Sequence, residues 1–347
     1  MMKRIGKAIL ICVLVLSLVC PALAEGNEDD WFTFFLMCNE GMNNDGGNVG
    51  NTMMIVSANP GDGRIKLLMF TWDSFIDYPG YDLPQLIDQP FRVAGPEETM
   101  KVFNENFDLD IQNYLSVNYL NLASLIDAYG GVNVDITRAE RNAINGMVSE
   151  KANLLQTKYS GSILATLALD IAVDKVYLAD FGYDIHLNGL QAVAFGWLQY
   201  DSVYNCCNRE VMVISELFST VAAAANEKAV FYNSAYSVPE INDSRRLIDL
   251  NNMSDEDYAF VHQFVRPIFD KSYHNVSDDD VMRISMAIIS TAYEARRNGI
   301  NLFDRVEVKI LPLEALEPYE TIAGKEGHRI DKAANEAAIK EFLYGEN

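Results

Sequence analysis

Asn118-Tyr119-Leu120-Asn121-Leu122-Ala123-Ser124-Leu125-Ile126-Asp127-Ala128-Tyr129-Gly130-Gly131-Val132-Asn133-Val134-Asp135-Ile136 holds a helix, a stop and a strand in nineteen residues. Asn118 is a side chain that can accept from the first free amides of a helix. Leu122, Leu125 and Ile126 then recur on one helical face. Gly130-Gly131 supplies the residues that end helices, and from Val132 the apolar residues alternate with polar ones, as in a half-buried strand. A helix leading directly into a strand indicates an α/β chain.

The flanks extend this pattern. Trp31 to Cys38 and Thr52 to Ala58 are apolar, strand-like runs separated by the polar, Gly-rich stretch Asn39 to Gly50. Asn59-Pro60-Gly61-Asp62-Gly63 is a turn signal, so Thr52 to Thr71 predicts a hairpin. Pro96-Glu97-Glu98 opens a helix with Met100, Phe103 and Phe107 on one face. Arg138 to Ile185 predicts helix in two pieces, Asn188 caps a helix over Gly189 to Gln199, and another runs from about Arg209 to Lys228. Ser254-Asp255-Glu256-Asp257 and Ser277-Asp278-Asp279-Asp280 each place a cap and negative charge at a helix start. Val306 to Leu311 predicts a strand and Asp331 to Tyr344 a terminal helix.

Across 347 residues, 49% are hydrophobic and 22% charged, which excludes a disordered, collagen-like or multispan membrane chain. The net charge of −22 argues against nucleic acid as a partner. Residues 1–24 combine Lys3, Arg4 and Lys7 with an apolar run over Ala8 to Val19 and the small-residue site Ala22-Leu23-Ala24, the pattern of a cleaved signal peptide, with a retained anchor as the other reading. That predicts an exported, extracytoplasmic protein. Past the leader, Cys38, Cys206 and Cys207 are too few for a disulfide scaffold. No phosphate loop, GxSxG, HExxH or CxxC is present, and His186, His262, His274 and His328 are scattered.

Several ordered stretches resemble the LytR-CpsA-Psr family of cell-envelope proteins. Asn51-Thr52-Met53-Met54-Ile55-Val56-Ser57 resembles the family's R-x-D-T-M-M-L-V-S strand, and Leu67 to Ser74 resembles L-L-S-I-P-R-D-T. Ile126 to Val134 is similar to V-D-A-L-G-G-V-x-V, and Leu187-Asn188-Gly189-Leu190-Gln191-Ala192-Val193-Ala194-Phe195 to L-N-G-x-Q-A-L-A-Y. Arg209 to Ile214 fits the start of R-Q-Q-x-V-I. The resemblance implies an α/β/α sandwich with a mixed central β-sheet over residues 31–228, and a mainly helical extension over 229–347 packed on it. It also implies an apolar pocket for a polyprenyl tail, and transfer of a glycan from polyprenyl pyrophosphate with arginines and Mg²⁺ at the mouth.

At that mouth the sequence departs from the family. Val49, Trp72, Trp197 and Gln199 stand at four arginine positions, and Val203 and Cys206 fill two further slots before Arg209, which matches. Glu40 and Asn51 align with the two aspartates that hold Mg²⁺, so one possible carboxylate remains. Losing four charge-assisted anion contacts removes most of a pyrophosphate site, and the expectation is a pseudoenzyme that keeps its polyprenyl-lipid or other amphiphile site. No cofactor is expected, with Mg²⁺ required only if transfer persists.

Each site residue has two readings. Asp73 orients a ligand or closes a turn. Arg209 binds phosphate or forms a salt bridge in an acidic protein. Trp72 and Trp197 pack together over the mouth or fill core. The resemblance places Cys38 near Cys206 and Cys207, which allows a disulfide across the vacated site. The face of Ile163, Leu164, Leu167, Ala168 and Ile171 lines a lipid tunnel or packs on the sheet. Two other functions stay open: an active transferase using Arg138, Arg141 or Arg209, and a module that docks a cell-wall or surface protein through the former site or through Tyr258, Phe260 and Phe264.

Overall fold

The computed structural model describes residues 31–39, 50–60, 63–158, 177–234, 244–300, 305–312 and 319–345. The chain opens with β1 (Phe32–Asn39), β2 (Gly50–Ala58) and β3 (Ile65–Phe70), an antiparallel meander with Phe35 opposite Ile55 and Ile55 opposite Leu68. Every residue of β3 is buried, which is why it reads as an apolar run rather than an alternation: both faces of this sheet are covered. Where the hairpin closes, Gly63 N–H donates to Asn59 O at 3.0 Å, and Gly63 sits at φ +70°, where a Cβ would lie 2.6 Å from the backbone of Thr291.

After β4 (Ser74–Ile76) and β5 (Gln85–Leu86) come α1 (Gln89–Ala94) and α2 (Pro96–Phe107). β6 (Asn113–Asn118) then runs parallel to β1 and hands over to α3 (Tyr119–Ala128), whose start is capped by Asn118 accepting from Asn121 N–H. Gly130 and Gly131, both at positive φ, turn the chain into β7 (Val132–Ile136). α4 (Arg138–Lys158), β8 (Gly182–Leu187), α5 (Gly189–Gly196) and α6 (Val203–Lys228) follow.

Beyond Lys228 lie β9 (Ala229–Tyr232), β10 (Arg246–Asp249), α7 (Asp255–Asp270), β11 (Tyr273–His274) and α8 (Asp278–Asn298). The chain closes with β12 (Val306–Leu311), β13 (Tyr319–Ile322), β14 (Lys325–Arg329) and α9 (Lys332–Tyr344).

The central sheet has the order β11-β6-β1-β2-β3-β12, mixed in direction. Strand alternation divides the core in two. Phe34, Leu36, Cys38, Met54 and Leu67 face α3, α5, α6, α7 and α8, while Phe35, Met37, Met53, Leu68 and Phe70 face α1, α2 and α9. This is the expected α/β/α sandwich. The segment after Lys228 is woven into it, because β11 and β12 form the two edges of the sheet.

Three expectations change. Residues 182–187 are strand, not helix, since Ile185 pairs with Val134 and Leu187 with Val132 across β7 and β8. α5 stops at Gly196, short of Gln199, and α6 starts at Val203 because Ser202 caps it, accepting from Asn205 N–H. The face at Ile163 to Ile171 and the leader at 1–24 lie outside the described residues.

Candidate functional site

β3 delivers Thr71, Trp72 and Asp73 to one end of the sheet. Thr71 N–H donates to Leu311 O at 2.8 Å and the Thr71 and Ser74 hydroxyls meet at 2.7 Å, fixing the bend. Asp73 is buried, 2% exposed, and its Oδ1 has no hydrogen-bond partner. Burial pushes its carboxyl above the usual range, opposed by the Thr71 hydroxyl and the nearby imidazole of His328, whose Nε2 lies 3.9 Å from Asp73 Oδ2.

Arg209 is held by the protein itself. It stands two turns into α6, 4% exposed, and gives Asp201 two hydrogen bonds at 2.8 and 2.9 Å; Nη2 also donates to Leu198 O. Glu140 lies 3.9 Å away and the Tyr200 ring 5.3 Å from the guanidinium. The hydrogen bond from Arg209 holds the Asp201 carboxyl down at about 2. Arg209 thus forms an ion pair with Asp201. Arg138 and Arg141 are not gathered here: both lie against the Phe181 ring, at 4.9 and 5.2 Å.

The two tryptophans do not meet. Trp197 is buried against Tyr119 at 6.2 Å, Trp72 is half-buried with its indole Nε1 unpartnered, and no ring contact joins them among the described residues. Gln199 is exposed. Tyr258, Phe260 and Phe264 are half-buried against a third apolar cluster around Phe231, Ile248 and Val261.

Cys38 is the penultimate residue of β1, and Cys206 and Cys207 sit at the start of α6. The disulfide allowed above is not formed: all three are free, buried thiols, and Cys206 Sγ donates to Gly196 O at 3.4 Å. Burial and the neighbouring Glu210 push each thiol upward, away from thiolate. Glu210 is itself fully enclosed; burial drives its carboxyl well above the ordinary value, with the Thr52 hydroxyl and Arg209 opposing. Sequence reading missed Glu210, Asp201 and His328. A signal existed for Glu210, an acid on the apolar stripe Cys206, Glu210, Val213, Leu217 of α6. None existed for Asp201 or His328, whose partners are set by tertiary contact.

These residues do not suit Mg²⁺, which requires charged oxygen ligands. Burial disfavours the charged form of Glu210, Asp201 is engaged by Arg209, and the donors beside Glu210 are buried thiols whose titration is pushed upward. Among the described residues no group of three His, Cys, Asp or Glu side chains is placed to hold a metal. Asn51 lies in β2, and Glu40 falls outside the described residues.

Beside Cys38 a narrow cleft of about 50 Å³ opens between the sheet and the helices. Cys38, Phe34 and Leu36 of β1 form its floor, Leu122 and Leu125 of α3 one wall, and Ile214, Leu217 and Phe218 of α6 another; residues of α7 and α8 complete it. Its lining is apolar apart from Ser272 and the thiol, which suits hydrocarbon rather than a polar ligand.

Comparison with known proteins agrees with this architecture. The sequence is 31% identical over 94 residues to a polyisoprenyl-teichoic acid–peptidoglycan teichoic acid transferase, TagU, of Oceanobacillus iheyensis, covering 26% of this chain and 29% of that one. It is 32% identical over 91 residues to a probable cell wall biosynthesis protein, LcpB, of Corynebacterium glutamicum, covering 25% and 22%. The chain thus spans less than a third of the length of these relatives. Among solved structures, Bacillus subtilis TagV superposes with a TM-score of 0.57 at 12% identity, over 92% of this chain and all of that one. TagT bound to LI-WTA superposes with 0.56 at 13%, over 90% and 91%. The LytR_cpsA_psr family description matches residues 19–224, more than half of the sequence, and the chain belongs to that family of cell-envelope proteins.

Proposed function

We propose that this chain is an exported, extracytoplasmic member of the family that keeps the apolar cleft as a binding site for a polyprenyl lipid or similar amphiphile and has given up glycan transfer. The occupied state of Arg209 carries this reading. The one basic residue that matches the family's anion site is enclosed and bound by Asp201 and Leu198 O. A pyrophosphate would have to break a bidentate ion pair to reach it, in a chain whose net charge already repels anions. The surrounding thiols and the Glu210 carboxyl offer no positive charge in either protonation state. The cleft needs none of these groups to hold hydrocarbon, because burial of apolar surface alone drives that step.

The test is native mass spectrometry of the protein purified from its own envelope, with lipid extraction, beside a phosphate-release assay on a polyprenyl pyrophosphate with Mg²⁺. The expected outcome is co-purifying amphiphile and no phosphate release, while a conventional family member releases it. Release by this protein would restore the transferase reading. Neither lipid nor release would leave the protein-docking reading.

A further inference from the structure

β12 covers the edge of β3 and becomes the outer margin of the central sheet itself. Thr71 N–H donates to Leu311 O across the parallel pair in which Leu311 stands opposite Phe70. In such a ladder alternate residues bond to the same neighbour, so Leu311, Lys309 and Glu307 turn their amides and carbonyls toward β3. Those of Val306, Val308 and Ile310 point away from the sheet, and among the described residues no strand pairs with them.

The side chains alternate as well. Val306 and Ile310 pack on the helix-side core, while Val308 between them is 41% exposed. Glu307 and Lys309 lie on the opposite face, in register with Lys66 and Leu68, and Lys309 Nζ reaches Ala338 O of α9 at 3.3 Å. An open strand edge of this kind pairs with another strand, and the side chains select which one.

Val306-Glu307-Val308-Lys309-Ile310 is complementary to itself when reversed. A two-fold axis through Val308 sets Val308 opposite its own copy, Val306 opposite Ile310, and Glu307 opposite Lys309 twice. The outward amides and carbonyls then form the hydrogen-bonded pairs. The two Glu–Lys pairs fall at the positions between them, where side chains of antiparallel strands come closest. Two-fold registers centred on Glu307 or Lys309 instead set like charges face to face, which is destabilising. We propose that the outer edge of β12 is the docking surface for a second copy of this chain, joined antiparallel about Val308 so that the central sheet runs on through the dimer. The contact is isologous and stops at two copies. It is small, and each chain carries a net charge of −22, so it is weak, with a Kd on the order of 100 µM. It requires neither the apolar cleft nor Arg209.

Sedimentation equilibrium of the full purified protein tests this, at about 0.15 M salt, where repulsion between distant charges is screened. Wild type should show a reversible monomer–dimer equilibrium. Glu307→Lys or Lys309→Glu turns both ion pairs into like-charge pairs and should raise the Kd at least about tenfold. An equimolar mixture of the two variants restores opposite charges at both positions and should associate as wild type does, a rescue that misfolded variants would not show. Val308→Pro removes an N–H that β3 does not use, so it should abolish the dimer and leave circular dichroism unchanged. Wild type that stays monomeric at about ten times that Kd overturns the proposal. So do single variants that dimerise like wild type, a mixture that stays monomeric, or growth beyond two copies.

Discussion

Arg209→Met keeps most of the side-chain volume and deletes the charge. Asp201 loses its partner, but with 26% of its side chain open to water it rehydrates, so this loss is that of a screened pair, about 1 kcal/mol. The buried Leu198 carbonyl loses a charged donor, about 1.5 kcal/mol, and the Tyr200 ring its cation, about 0.5 kcal/mol. The expected destabilisation is about 3 kcal/mol. Asp201→Ala is worse, about 3–5 kcal/mol, because it strands a guanidinium whose side chain is 5% exposed, with Glu140 at 3.9 Å as its remaining counter-charge. The double variant strands no charge and should match Arg209→Met alone. Because Arg209 lowers the Asp201 carboxyl to about 2, the pair stabilises the fold above the ordinary carboxylate range, and that contribution fades as pH falls toward 2. Arg209→Met should therefore also flatten the acid limb of the stability profile. Urea unfolding followed by tryptophan fluorescence and circular dichroism measures all three. A loss under about 0.5 kcal/mol for Arg209→Met, or strict additivity in the double variant, would show that Arg209 is free to serve a ligand.

Three further outcomes follow from the buried groups. Glu210, raised by burial, adds stability below the ordinary glutamate value of 4.5 and loses it as pH rises above that value, so wild type should weaken on that rise; Glu210→Gln should reduce the slope, with parts of the same sign left by Asp73 and Glu216 and one of opposite sign from His274. Cys38, Cys206 and Cys207 should resist a thiol reagent in the native protein and react once urea is added; rapid native labelling would contradict their burial. Gly189→Ala places a Cβ 1.8 Å from Ala123 O where α5 crosses α3, and a loss of about 3 kcal/mol or more is expected from the same urea titration; a neutral result would mean the helices can separate.

The layers of this fold were legible because its signals are local. Asn118, Gly130 and Gly131 mark the helix–strand junction by cap and left-handed geometry alone, and the Asn59 to Gly63 turn fixes its hairpin. β8 was misread because its apolar residues, Ile185 and Leu187, acquire meaning only opposite Val134 and Val132. At the site, motif alignment located Asp73 and Arg209 but left their states open. Whether Arg209 is free depends on Asp201, and whether Asp73 is accessible depends on His328, about 255 residues later in the chain. Ionisation is likewise a property of enclosure: the apolar stripe of α6 marks Glu210 as an inward acid, but its titration is set only where Cys206, Cys207 and Thr52 close around it.

Both margins of the central sheet are supplied by residues that come late in the chain. β3 waits for β12, about 240 residues downstream, and β6 waits for β11, about 160 downstream. Until they arrive, the meander formed by the first strands has two raw borders of unpaired amides and carbonyls, the kind of border that recruits other chains. Assembly of this protein is therefore committed at its end: a product truncated before Val306 keeps nearly all of its apolar core and still lacks the strand that closes one side, so shortened chains should self-associate rather than simply fold less well.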